Sequence, residues 1–376
     1  MTPDRSALFG GLIARSHLPA LDGLRAVAVM TVVVGHANNR VPADLGVSAF
    51  FVLSGFLITH LLIREREKTG DVSVRRFYAR RTMRIFPAYY AFLLLSYAFD
   101  ARAGQHWSPA LLASTLTYTV NYFNAFNNHP TTSVAHAWSL AVEEQFYLLW
   151  PLAFVILAAR GRRALLAGLS LAAFAAVAWR SWLILGGHVG VSYVYNAFDT
   201  RFDNLAVGCL LALAVRYDRV VAAAVRCGRR SWFPFVTIAL LLTSRLALPE
   251  SYHYSIGFTI DALLVAVLIA QLLQLYPTRS WHWLEWRAVR YLGMISYPIY
   301  LYHQWGASVG RRLSADFHAV EFGAGVLATI LLASASYYVV ERPFLKLKAR
   351  YEPQLRTNTS RSEERAQPSV ELVASA

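Results

Sequence analysis

The chain has 376 residues, of which 56% are apolar and only 15% charged, with a formal net charge of +14. Soluble domains hold roughly a quarter charged residues, so an ordinary soluble enzyme is excluded. Apolar tracts recur around 26–34, 88–99, 165–178 and 324–333, each within a stretch near the ~20 residues that cross a bilayer. No apolar–polar alternation marks a β-barrel. The basic residues fall between apolar spans and form no continuous stripe, which argues against nucleic acid as partner and for topology-setting charge beside a lipid bilayer.

The expected fold is all-α, a multi-pass transmembrane helical bundle of about ten helices. They are placed near 18–38, 46–64, 85–100, 136–159, 164–185, 203–216, 232–248, 256–276, 290–309 and 321–340. Residues 1–17 read as a cytoplasmic segment without the apolar core of a cleavable signal peptide. Residues 18–344 form the membrane domain, and 345–376 a cytoplasmic tail expected to be disordered. With the N-terminus inside, the inner segments hold the run Arg64–Arg84, Arg160–Arg163, Arg216–Arg230, Arg279–Arg290 and Arg342–Arg365. The outer segments hold only Arg40, Arg102, Arg201, Arg311 and Arg312, the positive-inside pattern. Residues 111–123 are apolar but short, and a full span there would invert every later loop. Residues 101–135 are therefore expected at the outer face, re-entrant or interfacial, with an eleventh helix as the alternative. Cys209 and Cys227 support neither a disulfide framework nor a zinc cluster. No Walker-type loop, GxGxxG or HExxH is present, and no metal is expected.

The candidate residues follow in chain order. Asp22, Arg25 and His36 lie in the first helix. Arg25 and His36 are eleven steps apart, which returns them to nearly one azimuth about 16 Å apart along the axis, with Asp22 one turn before Arg25. Ionisable groups at such depth usually face a polar cavity. Arg76, Arg80, Arg81 and Arg84 follow helical spacing, and arginine suits phosphate because its planar fork donates in bidentate fashion. His136, Ser139 and Glu143 recur at helical steps, with Glu144 and Gln145 following directly. Two adjacent carboxylates in an apolar helix suit acid/base work. Asp199, Arg201 and Asp203 open the sixth helix, where they either neutralise one another or line an outer vestibule. Tyr297, Tyr300, Tyr302 and His303 lie in the ninth, and Glu341–Arg342–Pro343 reads as the stop of the tenth.

Seven segments in this order resemble the acyltransferase 3 family: LPALDGLRAVAV with GHA, GVSAFFVLSGFLI, RRFYARRTMRIFPAYY, HAWSLAVEEQFYLLWP, RFDNLAVGCLLA, ISYPIYLYH and VVERP. They run from about Pro19 to Phe344. The resemblance implies a bacterial inner-membrane enzyme that O-acylates a sugar hydroxyl in a lipopolysaccharide, exopolysaccharide, peptidoglycan or glycoside. It implies acyl-CoA, most often acetyl-CoA, as co-substrate, and no permanently bound cofactor. The family's R-x10-H pattern falls on Arg25 and His36, its arginine motif on Arg80, Arg81 and Arg84, and its glutamate on Glu143, with Glu144 beside it. Gln304–Trp305 departs from the proline that often follows the histidine at His303. Some members carry a C-terminal SGNH-type domain, for which this chain is expected to be too short.

The expected chemistry places His36, Glu143, Glu144 and Arg25 in catalysis, and Arg76, Arg80, Arg81 and Arg84 on the donor's phosphates. Asp22, His136, Ser139, Asp203, Tyr302 and His303 are expected to bind substrate. His36 would act as general base on the sugar hydroxyl, with a covalent acyl-histidine as the other route. The competing function is a glycan or lipid transporter or flippase.

Overall fold

The computed structural model describes residues 18–38, 41–217, 219–222, 230–313 and 318–348. Residues 1–17, Cys227 and the tail from 349 lie outside the described residues, and with them the expectations for the two ends. Every regular element among the described residues is helical.

Helix α1 (Pro19–Asn38) leads to α2 (Ala43–Thr69), which ends at Gly70 in the left-handed region. Ser73 then caps α3 (Val74–Arg102) by accepting from the Arg76 amide. The arginine-rich stretch is thus the first turns of a continuous helix that becomes apolar after Arg84. The apolar stretch 111–123 is broken in two, α4 (Pro109–Leu116) and α5 (Val120–Phe126), with Tyr118 between them at φ 54°. Each piece is about 12 Å long or less, far short of a bilayer, so the eleventh span does not form.

A 3-10 turn at Ala135–Ala137 opens α6 (Trp138–Ala159). There follow α7 (Arg162–Leu185), α8 (Val191–Asn196), α9 (Phe202–Ala214), α10 (Phe233–Leu246) and α11 (Glu250–Leu275). The expected span 290–309 is split into α12 (Arg287–Met294) and α13 (Ser296–Leu313) at Ile295. Pro298, in the first turn of α13, offers no N–H to a preceding turn, which favours a restart there. The expected stop at Pro343 does not occur. Helix α14 (His318–Leu347) passes through it by way of a π-helical turn at Tyr337–Glu341.

Six of these helices are long and apolar enough to cross a membrane: α1, α2, α6 with its opening turn, α7, α11 and α14. Helices α9 and α10 are apolar but shorter, and α3, though 29 residues long, is basic over its first third. The expected count of about ten is therefore not confirmed, with six helices among the described residues meeting this length and composition. Large apolar side chains cover the outside of the bundle, with Leu94, Leu171, Phe174 and Val339 each more than two-thirds exposed. In lipid such a surface carries no penalty.

Two cores hold the bundle. One joins α1, α2, α3, α6 and α13, and the other joins α1, α2, α9 and α11. Helices α2 and α9 cross at backbone contact. A Cβ on Gly55 would lie 2.0 Å from the Leu205 carbonyl oxygen, and one on Gly208 would lie 2.1 Å from that of Val52. Small residues let helices approach this closely in membranes, and the approach fixes the face of α2 that carries Ser54. The alternation of the helices gives the bundle two unlike ends. The junctions α2–α3 and α6–α7 and the start of α12 lie at an arginine-rich end. The end of α1, residues 101–135 and the start of α6 lie at the opposite end, with the histidines.

Candidate active site

A cavity of about 1030 Å³ runs into the bundle from the arginine-rich end. Its walls carry eight basic side chains, Arg25, Arg64, Lys68, Arg80, Arg81, Arg84, Arg287 and Arg290, against five acidic ones, Asp22, Glu65, Glu143, Glu144 and Glu341. Further in, the lining turns aliphatic and aromatic, with Phe50, Phe51, Leu53, Ile85 and Leu140, and it ends near Ser139, Tyr297 and Tyr300. A charged mouth leading to a mostly apolar interior suits a ligand with an anionic head and a long neutral arm.

Of the arginines expected at the mouth, Arg80, Arg81 and Arg84 line the cavity, while Arg76 stands exposed and does not. Arg80 donates to Glu65 at 2.9 Å, and the other oxygen of Glu65 accepts from the Ser73 amide, so one carboxylate joins the end of α2 to the start of α3. Arg81 lies with its guanidinium 4.8 Å from the Tyr147 ring centre, a cation–π contact. Asp22 and Arg25 share the wall formed by α1. Glu143 accepts from the Ser54 hydroxyl at 3.0 Å and from the Tyr147 hydroxyl at 3.1 Å, which orients its carboxylate toward the cavity. Glu144 lines the same wall. Gln145 points the other way and pins α5 to α6 through Asn121 and the Tyr118 carbonyl.

The cavity's inner end abuts three histidines. The His303 ring centre lies 4.8 Å from that of His36 and 5.0 Å from that of His136. Tyr300, which lines the cavity, packs 5.6 Å from His303 and 5.7 Å from His136. Tyr300 donates to the His136 carbonyl at 2.8 Å. Having spent its single proton there, it accepts from Ser139 at 2.6 Å.

A carbonyl only accepts, so a neutral histidine ring that meets one carries its proton on the facing nitrogen. That nitrogen is Nδ1 in His36 (to Val32, 2.9 Å), Nδ1 in His303 (to Tyr300, 2.7 Å) and Nε2 in His136 (to Leu301, 3.1 Å). Each ring is left with one basic nitrogen. His136 and His303 are buried, whereas His36 is exposed, so His36 is the one of the three that is open to the outside of the bundle. Among the described residues no group of three His, Cys, Asp or Glu side chains is placed to hold a metal ion.

His129, outside the spans, stands close to this cluster. Burial pushes its imidazole below the ordinary histidine range, its bond with Asn196 at 2.8 Å acts in the opposite sense, and the nearby His36 adds to the lowering. It and Asn128 occupy the left-handed region at φ 50° and 56°.

The triplet Asp199–Arg201–Asp203 is not self-neutralising. Asp203 pairs with Arg180 at 3.0 Å and accepts from Thr259, with both ionic side chains fully buried. Arg180 further donates to the carbonyls of Ser255 and Thr200 and to Thr259. Asp203 is thus spent in an anchor between α7, α9 and α11, away from the cavity. Arg201 sits among the rings of Phe51, Trp138, Tyr195 and Phe258, 3.6 Å from the last. Asp199 takes hydrogen bonds from Tyr122, Trp179 and Tyr193. Tyr302 packs against Phe92 and Trp305, also outside the cavity.

Sequence reasoning missed Arg180, Arg287 and Arg290. The sequence marks Glu341 only as part of a helix stop, yet it lines the cavity together with Arg84. Arg287 and Arg290 enter the sequence reading only as topology-setting charge in the inner segment Arg279–Arg290, although their spacing of three puts them on one face of a short helix.

A family described as an acyltransferase domain matches residues 18–338. YrhL of Bacillus subtilis is 31% identical over 352 residues, covering 87% of this chain and 55% of that protein. The peptidoglycan O-acetyltransferase OatA of Listeria monocytogenes is 29% identical, covering 89% of this chain and 56% of that protein. The O-acetyltransferase OatA of Staphylococcus aureus is 28% identical, covering 88% and 57%. The chain thus spans a little over half the length of these relatives. No solved structure matches.

Proposed function

Since the chain belongs to the acyltransferase 3 family, we propose that it is a membrane O-acetyltransferase that takes an acyl group from cytoplasmic acyl-CoA and places it on a sugar hydroxyl of a glycan. The arginine-rich mouth, the neutral interior and the histidines at the far end support this order of donor, arm and acceptor. The observation that carries the reading is the contact of Tyr300 with the cavity on one side and with His303 and His136 on the other. Peptidoglycan is the acceptor named for the Listeria relative, and it is the acceptor we propose to test first, with lipopolysaccharide and exopolysaccharide after it.

In the proposed reaction the sugar hydroxyl approaches from the histidine end and gives its proton to Nε2 of His36 as its oxygen attacks the thioester carbonyl. The new C–O bond forms, the C–S bond breaks, and the departing thiolate recovers the proton from His36 as free CoA. Glu143, held by Ser54 and Tyr147, and Arg25 stand along the donor's path and balance charge there. The positive-inside pattern supports an inner-membrane protein with the arginine-rich end in the cytoplasm.

Membranes containing the full chain are supplied with radiolabelled acetyl-CoA and glycan, and labelled ester is counted. Wild type is expected to form ester, and His36→Ala to lose about 10²–10⁴-fold in rate at equal protein level. Wild-type ester formation by the variant would remove the general base. A wild-type protein that moves glycan or lipid but forms no ester would instead establish the transporter reading.

A further inference from the structure

We propose that Arg287 and Arg290 form a second phosphate subsite, separate from the α3 arginines, that reads the 3′-phosphate on the ribose of CoA. The inference rests on the acyl-CoA reading above and names how that donor is told from its analogues.

Helix α12 presents Arg287, Arg290, Tyr291 and Met294 to the cavity, the i, i+3, i+4, i+7 stripe of a single helix face. Arg287 and Arg290 are exposed, and Tyr291 beside them is half-buried. The helix is held in place from two sides. A Cβ on Gly293 would lie 1.9 Å from the Asp22 carbonyl oxygen, so α12 lies backbone to backbone on the start of α1. The Tyr291 hydroxyl is bonded to Ser334 on α14 at 2.8 Å. Among the described residues neither Arg287 nor Arg290 forms an ion pair, whereas Arg80 across the mouth is paired with Glu65. Trp286 rather than an arginine occupies the outward position beside them, 61% exposed.

CoA carries two anionic groups on different sides of one ribose: the diphosphate, which continues into the pantetheine arm, and a phosphomonoester, which does not. The group attached to the arm must lie on the way inward, and the other must stay at the rim. Arg81 and Arg84 are half-buried along the inward path, while Arg287 and Arg290 are exposed at the rim. The depth order assigns the diphosphate to α3 and the phosphomonoester to α12. Arginine is suited to both because its fork donates two parallel charge-assisted bonds to a phosphate. A lipid headgroup offers the same phosphate chemistry to arginines at a membrane surface, so the test separates the two sources.

The full chain is reconstituted in nanodiscs of neutral phosphatidylcholine, and bound radiolabelled acetyl-CoA is displaced with CoA or with 3′-dephospho-CoA. Wild type is expected to bind dephospho-CoA about 10-fold or more weakly. Arg287→Gln/Arg290→Gln should bind CoA as weakly as dephospho-CoA and lose the preference, with Arg287→Lys/Arg290→Lys intermediate. Arg80→Gln/Arg84→Gln should weaken both ligands by a similar factor and keep the preference. A glutamine variant that keeps the preference, or a wild type without one, overturns the subsite. An effect that appears only when phosphatidylglycerol is added assigns the pair to lipid headgroups and overturns it equally. If wild type binds neither CoA nor dephospho-CoA, the donor reading itself has failed, and the subsite with it.

Discussion

At the scale of single residues, the buried charges divide into those that face the cavity and those that pair away from it. Arg25, Glu143 and Glu144 were legible in the sequence because intramembrane charge is costly and their spacing put them on helix faces. Asp203 was legible as a charge but not as a partner, because its counterion Arg180 is 23 positions earlier on another helix, and local spacing says nothing about pairing between helices. Arg180 fills its donors with two carbonyls, Thr259 and Asp203. Removing it strands a buried carboxylate. Arg180→Met is expected to cost about 3–5 kcal/mol, read as a large loss of thermal stability in detergent. The double variant Arg180→Met/Asp203→Leu should recover part of it, since no buried charge is then left without its counterion, while the Ser255 and Thr200 carbonyls and Thr259 still lose their partners. A fully stable Arg180→Met would show that the pair is not an anchor.

At the scale of helices, the sequence located most elements but not their breaks. Long apolar periodicity marks α1, α2, α6, α7, α11 and α14 plainly, whereas the division at Ile295 and the π-helical turns at His253–Gly257 and Tyr337–Glu341 arise from backbone geometry that periodicity does not encode. Helix contact distance is equally hidden. Gly208 reads as one small residue in an apolar run, yet its missing Cβ is what lets α9 rest on α2. Gly208→Val would force a methyl-bearing carbon to within 2.1 Å of the Val52 oxygen, and the helices must separate. Overpacking of this kind costs typically about 1–3 kcal/mol. Because α2 also carries Ser54, the separation should loosen the Ser54–Glu143 hydrogen bond, so ester formation should fall along with thermal stability. Gly323→Ala, where a Cβ meets open space, is the control and should lower neither. Equal behaviour of the two variants would deny the crossing its role.

At the scale of the whole molecule, the two ends of the bundle carry the functional argument. The sequence already sorted basic residues to one set of loops and His36 and His136 to the other. What it lacked was the cavity, whose walls come from α1, α2, α3, α6, α12, α13 and α14 at once, a convergence that no single segment displays. On the proposed reading the mouth faces the compartment that holds acyl-CoA, which makes topology a decisive measurement. With Cys209→Ala and Cys227→Ser as background, a single cysteine is placed at Gln105 at the histidine end or at Arg75 at the arginine-rich end, both exposed positions outside the cavity lining. A membrane-impermeant thiol reagent applied to intact cells should label Gln105→Cys directly and Arg75→Cys only after lysis. The reverse pattern would turn the arginines away from the cytoplasm, leave the donor no entrance, and remove the charge asymmetry as a guide to orientation.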